Sequence, residues 1–551
     1  MNSKYLWIFP LATLLLYCFI SLYVLMTGHL HEDAYILYIF SESLANGNGI
    51  SYFPGGPPAE GATDFLWMVL LAIGHYLNID VAISASILNG IGLAAITFFA
   101  IQLLPERTKS WKIYTVSAVL TLVVLYSQVA QASVAGFSTG FYSSFVAAIF
   151  YLLFTRNFKW LFLIPLLGVI LGLLRPDGVI IGVVASLIGI YFAFKNGVHR
   201  KYFLSSAIAI LIGGIYFYWR YQYFGYLLPL PLYVKSTSVT SIPGLSPHLN
   251  WAYSNLTLGL LAFVSIVFSR ERNKIVLAII PVGFLFVALL FATQSQNVSF
   301  RLQAPGTTLL ILFVPVLLSE ILTNNKINYI VQRSMLAVFF LSLLAVIINS
   351  SKEMSGAISV IKRADYINYF PFYFSKISNS QTKIALTEAG RFAYWSKGEK
   401  YDLVGLNTPE IAIEKVTPSY LSRLDPDVVF IHTAGHTDYS KMCDKSFCEI
   451  RPDKVRDGVV SDKDWRNVSY GVKRAPLVVF EHISNNLDNY IVIVAEYDGK
   501  YSHLYLVKKG GNINTDGFKQ SLEKSYMLDQ PLSYWAMKKD VSFSGVFDLK
   551  N

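Results

Sequence analysis

The sequence predicts a polytopic α-helical membrane protein that ends in an α/β domain. Of the 551 residues, 54% are hydrophobic and only 15% are charged, whereas a soluble globular protein carries roughly a quarter charged residues. Apolar runs of about twenty residues, each long enough to cross a bilayer, recur through the first two-thirds of the chain. The rest is polar, with short strand-like runs at 427–432, 476–482 and 490–496. We therefore divide the chain into a membrane domain, residues 1–349, and a C-terminal domain, residues 350–551.

The distribution of basic residues predicts the topology. The apolar run 5–26 is too long for the core of a signal peptide and no small-residue cleavage site follows it, so we expect a retained first span. Short basic loops are cytoplasmic by the positive-inside rule. Such loops occur at 107–112, 156–159, 195–201, 270–274 and 326–333. They predict about eleven spans, a cytoplasmic N-terminus and a periplasmic or extracellular C-terminal domain.

Parity assigns the first hundred residues. Both the N-terminus and the basic loop at 107–112 are predicted to be cytoplasmic, so the chain between them must cross the membrane an even number of times. The runs 5–26 and 81–104 are long enough to cross, whereas the run 65–76 has only twelve residues and suits an interfacial or re-entrant helix. Residues 27–80 are therefore expected to form an external loop with interfacial helices.

An acidic pair, Glu32 and Asp33, follows the first predicted span. A carboxylate at the membrane surface is suited to act as a general base. Acidic residues are also typical of the first turn of a helix, where they stabilise the N-terminal end. Both interpretations are open at this point.

Three basic residues depart from the topology rule. Arg175, Lys235 and Arg301 lie almost alone in separate external loops. A cation at this depth is expected to need an anionic partner, and arginine pairs bidentately with phosphate oxygens. Together, beside an acidic loop, the three favour a binding site for a lipid phosphate. For any one of them the alternatives are contact with lipid headgroups or pairing with a carboxylate such as Asp177.

A series of motifs runs along the chain. They are the acidic pair before Ala34-Tyr35-Ile36, the turn Asn46-Gly47-Asn48-Gly49, Glu60-Gly61-Ala62-Thr63 before an aromatic helix, Leu174-Arg175-Pro176-Asp177-Gly178, Pro229-Leu230-Pro231 before Tyr233 and Lys235, Arg301 before Pro305, and a tail segment, Thr387-Glu388-Ala389-Gly390 followed by residues 401–412. These motifs resemble those of the GT-C glycosyltransferases, and most of all those of bacterial arabinofuranosyltransferases that use polyprenyl-phosphate sugars. The tail segment is similar to the external domain of that group. This chain has Ser138 where the family often has a glutamate.

The resemblance implies an inverting transfer of a sugar, with arabinofuranose favoured, from a polyprenyl-phosphate donor in a bacterial inner membrane. A glycan, glycolipid or surface protein would be the acceptor. Asp33 would act as the base beside Glu32, and Arg175, Lys235 and Arg301 would bind the donor phosphate. No cofactor is required on this account, and a divalent cation on the acidic residues is left open. The residues expected to contact sugar or acceptor are His31, Tyr35, Glu60, Thr63, Asp64 and Tyr233.

Other function classes are less favoured. The net charge of +10 does not indicate nucleic-acid binding, because the basic residues are not arranged along one stripe. A transporter or flippase predicts repeated halves and charged residues at mid-span, and the sequence has neither. A structural membrane protein would leave the acidic loop and the lone external cations without a role. Within the transferases, a hexose donor of the mannose type stays open.

The polar tail contains a pair of cysteines and a predicted hairpin. Cys443 and Cys448 could form a small-loop disulfide if the tail lies outside the cytoplasm, or remain two thiols. Their spacing matches no metal site. The two apolar runs on either side of Asp498-Gly499 predict a β-hairpin.

Overall fold

The computed structural model describes residues 5–104, 110–155, 158–235, 242–269, 271–294, 296–323, 328–362, 365–433, 443, 446–458, 464–468, 471–497, 501–527 and 532–540. Arg107, Arg156, Arg270 and Lys326 of the basic loops lie outside the described residues. So do the predicted turn at Asp498-Gly499 and the side chain of Lys235.

Helices make up the first part of the chain. They pack closely where small residues face each other, as on the fourth helix, where a Cβ at Gly92 would overlap the backbone of Gly140. In chain order they are α1 (Ile8–Thr27), α2 (Glu32–Ala45), α3 (Phe65–Tyr76), α4 (Val81–Gln102), α5 (Ser110–Tyr126), α6 (Gln128–Val134), α7 (Thr139–Phe154), α8 (Leu163–Leu174), α9 (Gly178–Lys195), α10 (His199–Phe224), α11 (Leu230–Lys235), α12 (Leu245–Ser254), α13 (Leu256–Phe268), α14 (Arg272–Leu290), α15 (Ala304–Thr323) and α16 (Tyr329–Ile361).

The described residues contain seven helices that are long and apolar enough to cross a membrane, namely α1, α4, α9, α10, α14, α15 and α16. Two bent pairs, α5–α6 at 49° and α12–α13 at 81°, raise the number to nine if each pair is one span. Three shorter apolar helices are α3, α7 and α8. The prediction of a multi-pass membrane protein is confirmed, and the count of about eleven spans stays a prediction. The apolar helix α3 covers the run from which an interfacial helix is predicted.

The C-terminal region forms one mixed sheet with helices around it, which confirms the α/β class. The strand order is β2-β1-β3-β6-β5-β4; β1 pairs in parallel with β2 and β3, and the other pairs are antiparallel. The elements are α17 (Phe370–Phe374), β1 (Lys383–Leu386), α18 (Arg391–Trp395), β2 (Glu399–Asp402), α19 (Pro409–Glu414), α20 (Pro418–Leu424), β3 (Val428–His432), β4 (Phe447–Ile450), α21 (Gly471–Ser484), β5 (Tyr490–Tyr497), β6 (Tyr501–Lys508), α22 (Thr515–Tyr526) and α23 (Tyr534–Lys539).

Two of the three predicted strands are present, and the third is a helix. The runs at 427–432 and 490–496 correspond to β3 and β5, and β5 pairs with β6 as an antiparallel hairpin. The run at 476–482 lies within α21. Its fully buried residues Ala475, Val478, Val479 and Ile483 follow the spacing of three and four residues that gives a helix one apolar face.

Residues 27–80 pack against the C-terminal region through buried polar groups. Lys538 donates to the buried Glu42 carboxylate at 2.9 Å, and Tyr534 donates to the Asp80 carboxylate at 3.0 Å. A buried charge that lacks its partner is costly, so these contacts hold the two regions in one relative position. Cys443 and Cys448 in the same region are joined by a disulfide. The division after residue 349 falls inside α16, which continues to Ile361.

Candidate active site

The N-terminus of α2 turns the two neighbouring carboxylates in different directions. His31 caps the helix, because its Nδ1 accepts from the Asp33 backbone N–H at 3.3 Å. Glu32 is directed to the C-terminal region, where one carboxylate oxygen accepts from the backbone N–H groups of Gly390 and Arg391, both at 2.8 Å. Asp33 is directed to the membrane region. The helix-start interpretation of this pair therefore holds, and each carboxylate also has a specific partner in the tertiary structure.

Asp33 and Arg301 are in direct contact although 268 residues separate them. The Asp33 carboxylate accepts from the Arg301 guanidinium at 3.2 Å, and 28% and 21% of the two side chains remain exposed. The guanidinium also lies 3.9 Å from the ring centre of Phe137, a cation–π geometry. Burial lowers the pKa of Arg301, while the charge of Asp33 opposes that shift. A partly desolvated guanidinium beside a carboxylate is a place where an anion from a substrate can bind.

The loop before Arg301 has an unusual backbone that hydrogen bonds from side-chain amides hold in place. Gln296, Ser299 and Phe300 have φ values of +61°, +48° and +54°, which non-glycine residues rarely adopt. Asn297 donates to Gln303 at 2.8 Å and accepts from the Leu302 backbone N–H at 3.0 Å. These hydrogen bonds of the Asn297 side chain compensate for the strained backbone and fix the direction of Arg301. Sequence inspection missed Asn297, because a single loop asparagine carries no distinguishing pattern.

Arg175 is buried and has partners within the chain. It donates to both carboxylate oxygens of Asp177, at 3.0 and 2.8 Å, which is the alternative pairing that the sequence left open. Its third hydrogen bond runs to the backbone carbonyl of Arg301 at 3.1 Å. The Tyr142 ring centre lies 4.8 Å from the guanidinium. Arg175 thus adds positive charge behind Arg301 and fixes the Arg301 backbone.

Asp64 lies beside the same two arginines. One of its carboxylate oxygens accepts from the Ser138 hydroxyl at 2.6 Å, and the Thr63 hydroxyl contacts the other at 3.3 Å. Burial raises the pKa of Asp64, and the charges of Arg175 and Arg301 lower it. Ser138, where the family that the sequence resembles often has a glutamate, therefore hydrogen-bonds one acidic residue of the first loop, Asp64.

The remaining residues from the sequence analysis lie in the surrounding structure. Glu60 forms a buried bidentate ion pair with Arg220, and Arg220 also donates to the Leu227 carbonyl at 2.8 Å, so the pair holds the end of α10. Tyr35 is fully buried among the rings of Tyr394, Trp395 and Tyr534. The Tyr233 hydroxyl accepts from the Leu228 backbone N–H at 3.3 Å. Contacts of Glu60, Tyr35 and Tyr233 with a sugar stay predictions.

The C-terminal region contributes residues to the site that sequence inspection did not assign. Arg391 donates to the Leu30 carbonyl at 2.7 Å and to the side chain of Asn368. Glu388 is half-buried and lies close enough to Glu32 and Asp33 for their charges to raise its pKa. Glu388 belongs to the tail motif that the sequence shows, and Arg391 follows that motif directly. No local pattern shows that this segment packs against α2.

Four acidic residues of the first loop each contact a hydrogen-bond donor of the protein. Glu32 accepts backbone N–H groups, Asp33 contacts Arg301, Glu60 pairs with Arg220, and Asp64 accepts from Ser138. Among the residues that the structure describes, no group of three His, Cys, Asp or Glu side chains is arranged to hold a metal ion.

Replacement of Gly390 by alanine tests the contact between α2 and the C-terminal region. A Cβ at position 390 would overlap the backbone carbonyl of Glu32, so the two segments must separate. We expect a loss of about 1–3 kcal/mol of stability, seen as a lower melting temperature in detergent, together with reduced activity. Gly517→Ala is the matched control, because its Cβ would meet only an ordinary contact at 3.5 Å. A Gly390→Ala protein that melts and works like the unmodified chain would show that this contact is dispensable.

Comparison with known proteins finds structural similarity over most of the chain. A family model described as a domain of unknown function, DUF8728, matches residues 372–482, and no curated protein sequence matches. The arabinofuranosyltransferase AftD from Mycobacteria superposes on 93% of this chain with 11% identity and a TM-score of 0.51, although the chain spans only 40% of AftD. ArnT from Cupriavidus metallidurans, in the apo state, superposes on 90% of this chain and 97% of its own, with 10% identity and a TM-score of 0.53. Both are GT-C membrane glycosyltransferases, and the chain has the GT-C fold.

Proposed function

We propose that the protein is an inverting glycosyltransferase that moves a sugar, with arabinofuranose favoured, from a polyprenyl-phosphate donor to an acceptor of the bacterial cell envelope. The contact of Asp33 with Arg301, with Arg175 bonded to the Arg301 backbone, carries this proposal. An anion-binding cation beside a carboxylate is what such a transfer needs, because a proton is removed and a phosphate leaves within one site. The GT-C fold supports this reaction class by analogy, because the two similar structures are glycosyltransferases of that fold.

The proposed mechanism assigns a role to each of these groups. Asp33 accepts the proton of an acceptor hydroxyl, whose oxygen attacks the anomeric carbon from the face opposite the phosphate. The bond from that carbon to the phosphate oxygen breaks, and the charge of the lipid phosphate grows from about −1 toward −2. Arg301 stabilises the growing charge. Arg175 holds the Arg301 backbone and adds a second positive charge, and Lys235 is the third cation that we assign to the phosphate.

The proposed location follows from the same geometry. The segments that carry Asp33, Arg175 and Arg301 belong to three loops that the charge pattern predicts to be external, and their contacts bring them together. We therefore place the reaction at the outer leaflet of the bacterial inner membrane, with the N-terminus in the cytoplasm and the C-terminal domain in the periplasm. A polyprenyl-phosphate sugar presents its phosphate at that depth.

A donor panel tests the proposed function. Purified protein in detergent or nanodiscs is incubated with polyprenyl-phosphate arabinofuranose, mannose and further pentoses and hexoses, together with alkyl glycosides and a serine-containing peptide as acceptors. We expect transfer from one of these donors with inversion at the anomeric carbon, and arabinofuranose to be the best of them. Transfer only from a hexose donor would keep the reaction class and replace the sugar. Absence of transfer from every donor, by protein that melts cooperatively, would refute the glycosyltransferase proposal.

A further inference from the structure

Glu388 is a carboxyl group of the C-terminal region that the mechanism above does not use. It lies two residues after the end of β1 and is half-buried, and it stands two residues before Gly390, whose backbone packs against that of Glu32 at the start of α2. Hydrogen bonds hold the backbone on its C-terminal side: Tyr52 donates to the Ala389 carbonyl, and Gly390 donates to Glu32. The Glu388 side chain is thus presented from a fixed segment, as a group that binds a ligand in a defined orientation must be.

The surroundings of Glu388 favour its neutral form. Burial raises the pKa of Glu388 to about 8, and the negative charges of Glu32 and Asp33 contribute to the rise, while Arg391 opposes it. Near neutral pH the group is therefore a carboxylic acid that can donate a hydrogen bond. The charged and titratable groups that interact with it from the neighbouring elements are Glu32 and Asp33 of α2, Arg391 of α18, Asp402 of β2 and Tyr505 of β6.

We propose that Glu388 binds the acceptor beside Asp33, and that the acceptor is a carbohydrate with two neighbouring hydroxyls. This inference rests on the proposed function. Asp33 takes the hydroxyl that reacts, and Glu388 hydrogen-bonds the oxygen next to it on the sugar ring. A serine or threonine side chain offers one hydroxyl, so it would leave Glu388 half-buried and unpaired, which disfavours a protein acceptor.

The segment that matches the domain of unknown function has a role in acceptor recognition on this proposal. Residues 372–482 include Glu388, Gly390 and Arg391, which lie against the acidic end of α2. The acceptor site is then composite: the membrane region supplies the base and the donor cations, and the C-terminal region supplies the group that recognises the acceptor.

The proposal is tested by removing the Glu388 carboxyl group from the protein and one hydroxyl group from the acceptor, separately and together. The probes are octyl arabinofuranoside and its 2-deoxy and 3-deoxy analogues, used with the donor that the panel identifies. For the unmodified protein we expect one deoxy analogue, which lacks the hydroxyl beside the reacting one, to have a KM about tenfold higher. In Glu388→Ala the KM for the parent glycoside rises by a similar factor, and the same deoxy analogue costs nothing further, because the contact is already gone. Additive effects of the two deletions would overturn the proposal.

The pH dependence of the acceptor KM distinguishes a hydrogen bond from Glu388 to the acceptor from a purely structural role of Glu388. Above about pH 8 Glu388 loses its proton and can no longer donate, so the acceptor KM of the unmodified protein should rise there. Glu388→Gln keeps an N–H donor and should have a low KM that does not change with pH, while Glu449→Gln, an exposed carboxyl of β4, should keep the pH response. The same pH response in Glu388→Gln as in the unmodified chain, or transfer only to the serine peptide, would overturn the acceptor proposal alone. Absence of transfer from every donor would overturn it together with the proposed function.

Discussion

Replacement of Asp33 by asparagine is expected to reduce kcat about 10²–10⁴-fold, which is the range for loss of a general base. Asparagine keeps the shape of the side chain and cannot accept a proton from the acceptor hydroxyl. The measurement is initial-rate transfer at saturating donor and acceptor. The chemical step should slow while the KM for the donor changes little, because the donor phosphate is assigned to other groups.

The control for Asp33→Asn separates catalysis from folding. Asp488→Asn makes the same chemical change at an exposed position before β5 and should leave kcat within about twofold, since exposed substitutions of this kind have small effects. The melting temperature of Asp33→Asn should stay close to that of the unmodified protein, because its ion pair with Arg301 is partly exposed and contributes little to stability. More than a tenth of the unmodified rate in Asp33→Asn would eliminate Asp33 as the base.

Replacement of Arg301 by alanine is expected to lower kcat/KM for the donor by about 10²–10³-fold, which corresponds to ~3–4 kcal/mol of lost transition-state stabilisation. The loss should be larger with a poor phosphate leaving group, because Arg301 is assigned to the charge that grows during departure. Arg301→Lys keeps the charge and loses the fork of parallel donors, so an intermediate rate is expected. Initial rates over a series of donor concentrations measure both effects.

Arg333 provides the matched control for Arg301. It is an exposed arginine whose guanidinium lies 4.2 Å from the ring centre of Tyr329, so Arg333→Ala removes a cation and a ring contact of the same kind outside the proposed site. That variant should keep donor use within about twofold. The double variant Asp33→Asn with Arg301→Ala should lose less than the product of the two single losses, since residues that act as a unit are not additive. Full donor use by Arg301→Ala would refute the assignment of this cation to the phosphate.

The arginines show how far residue type and local context can predict a site. Arg175 and Arg301 are recognisable in the sequence as lone cations in loops that are predicted to be external, and the structure brings the two residues together. Their different surroundings are not recognisable in this way. Arg175 is paired with Asp177, two residues away. Arg301, in contrast, is directed to Asp33 by a strained backbone and by the hydrogen bonds of the Asn297 side chain. That direction depends on a loop conformation that no local propensity favours.

The C-terminal region shows the same division. Short apolar runs rich in β-branched residues predict β3 and β5, because such residues favour strands. The sequence predicts a strand at 476–482, within helix α21, since a short apolar run with β-branched residues fits the periods of both a strand and a helix over a few residues. The contact of Gly390 and Arg391 with Glu32 joins segments 358 and 359 residues apart, and nothing in either segment alone indicates its partner.

The sequence alone determined the class of the molecule, a helical membrane protein with a polar C-terminal region, and it indicated an acidic segment after the first span and cations isolated in loops that are predicted to be external. These properties follow from length, apolar content and periodicity, which act locally along the chain. Only the tertiary structure decided that Asp33 contacts Arg301 and that Arg175 pairs with Asp177. It also decided which residues of the C-terminal region contact α2. Those choices depend on packing and on hydrogen bonds between distant segments, where burial makes one arrangement far more favourable than its competitors.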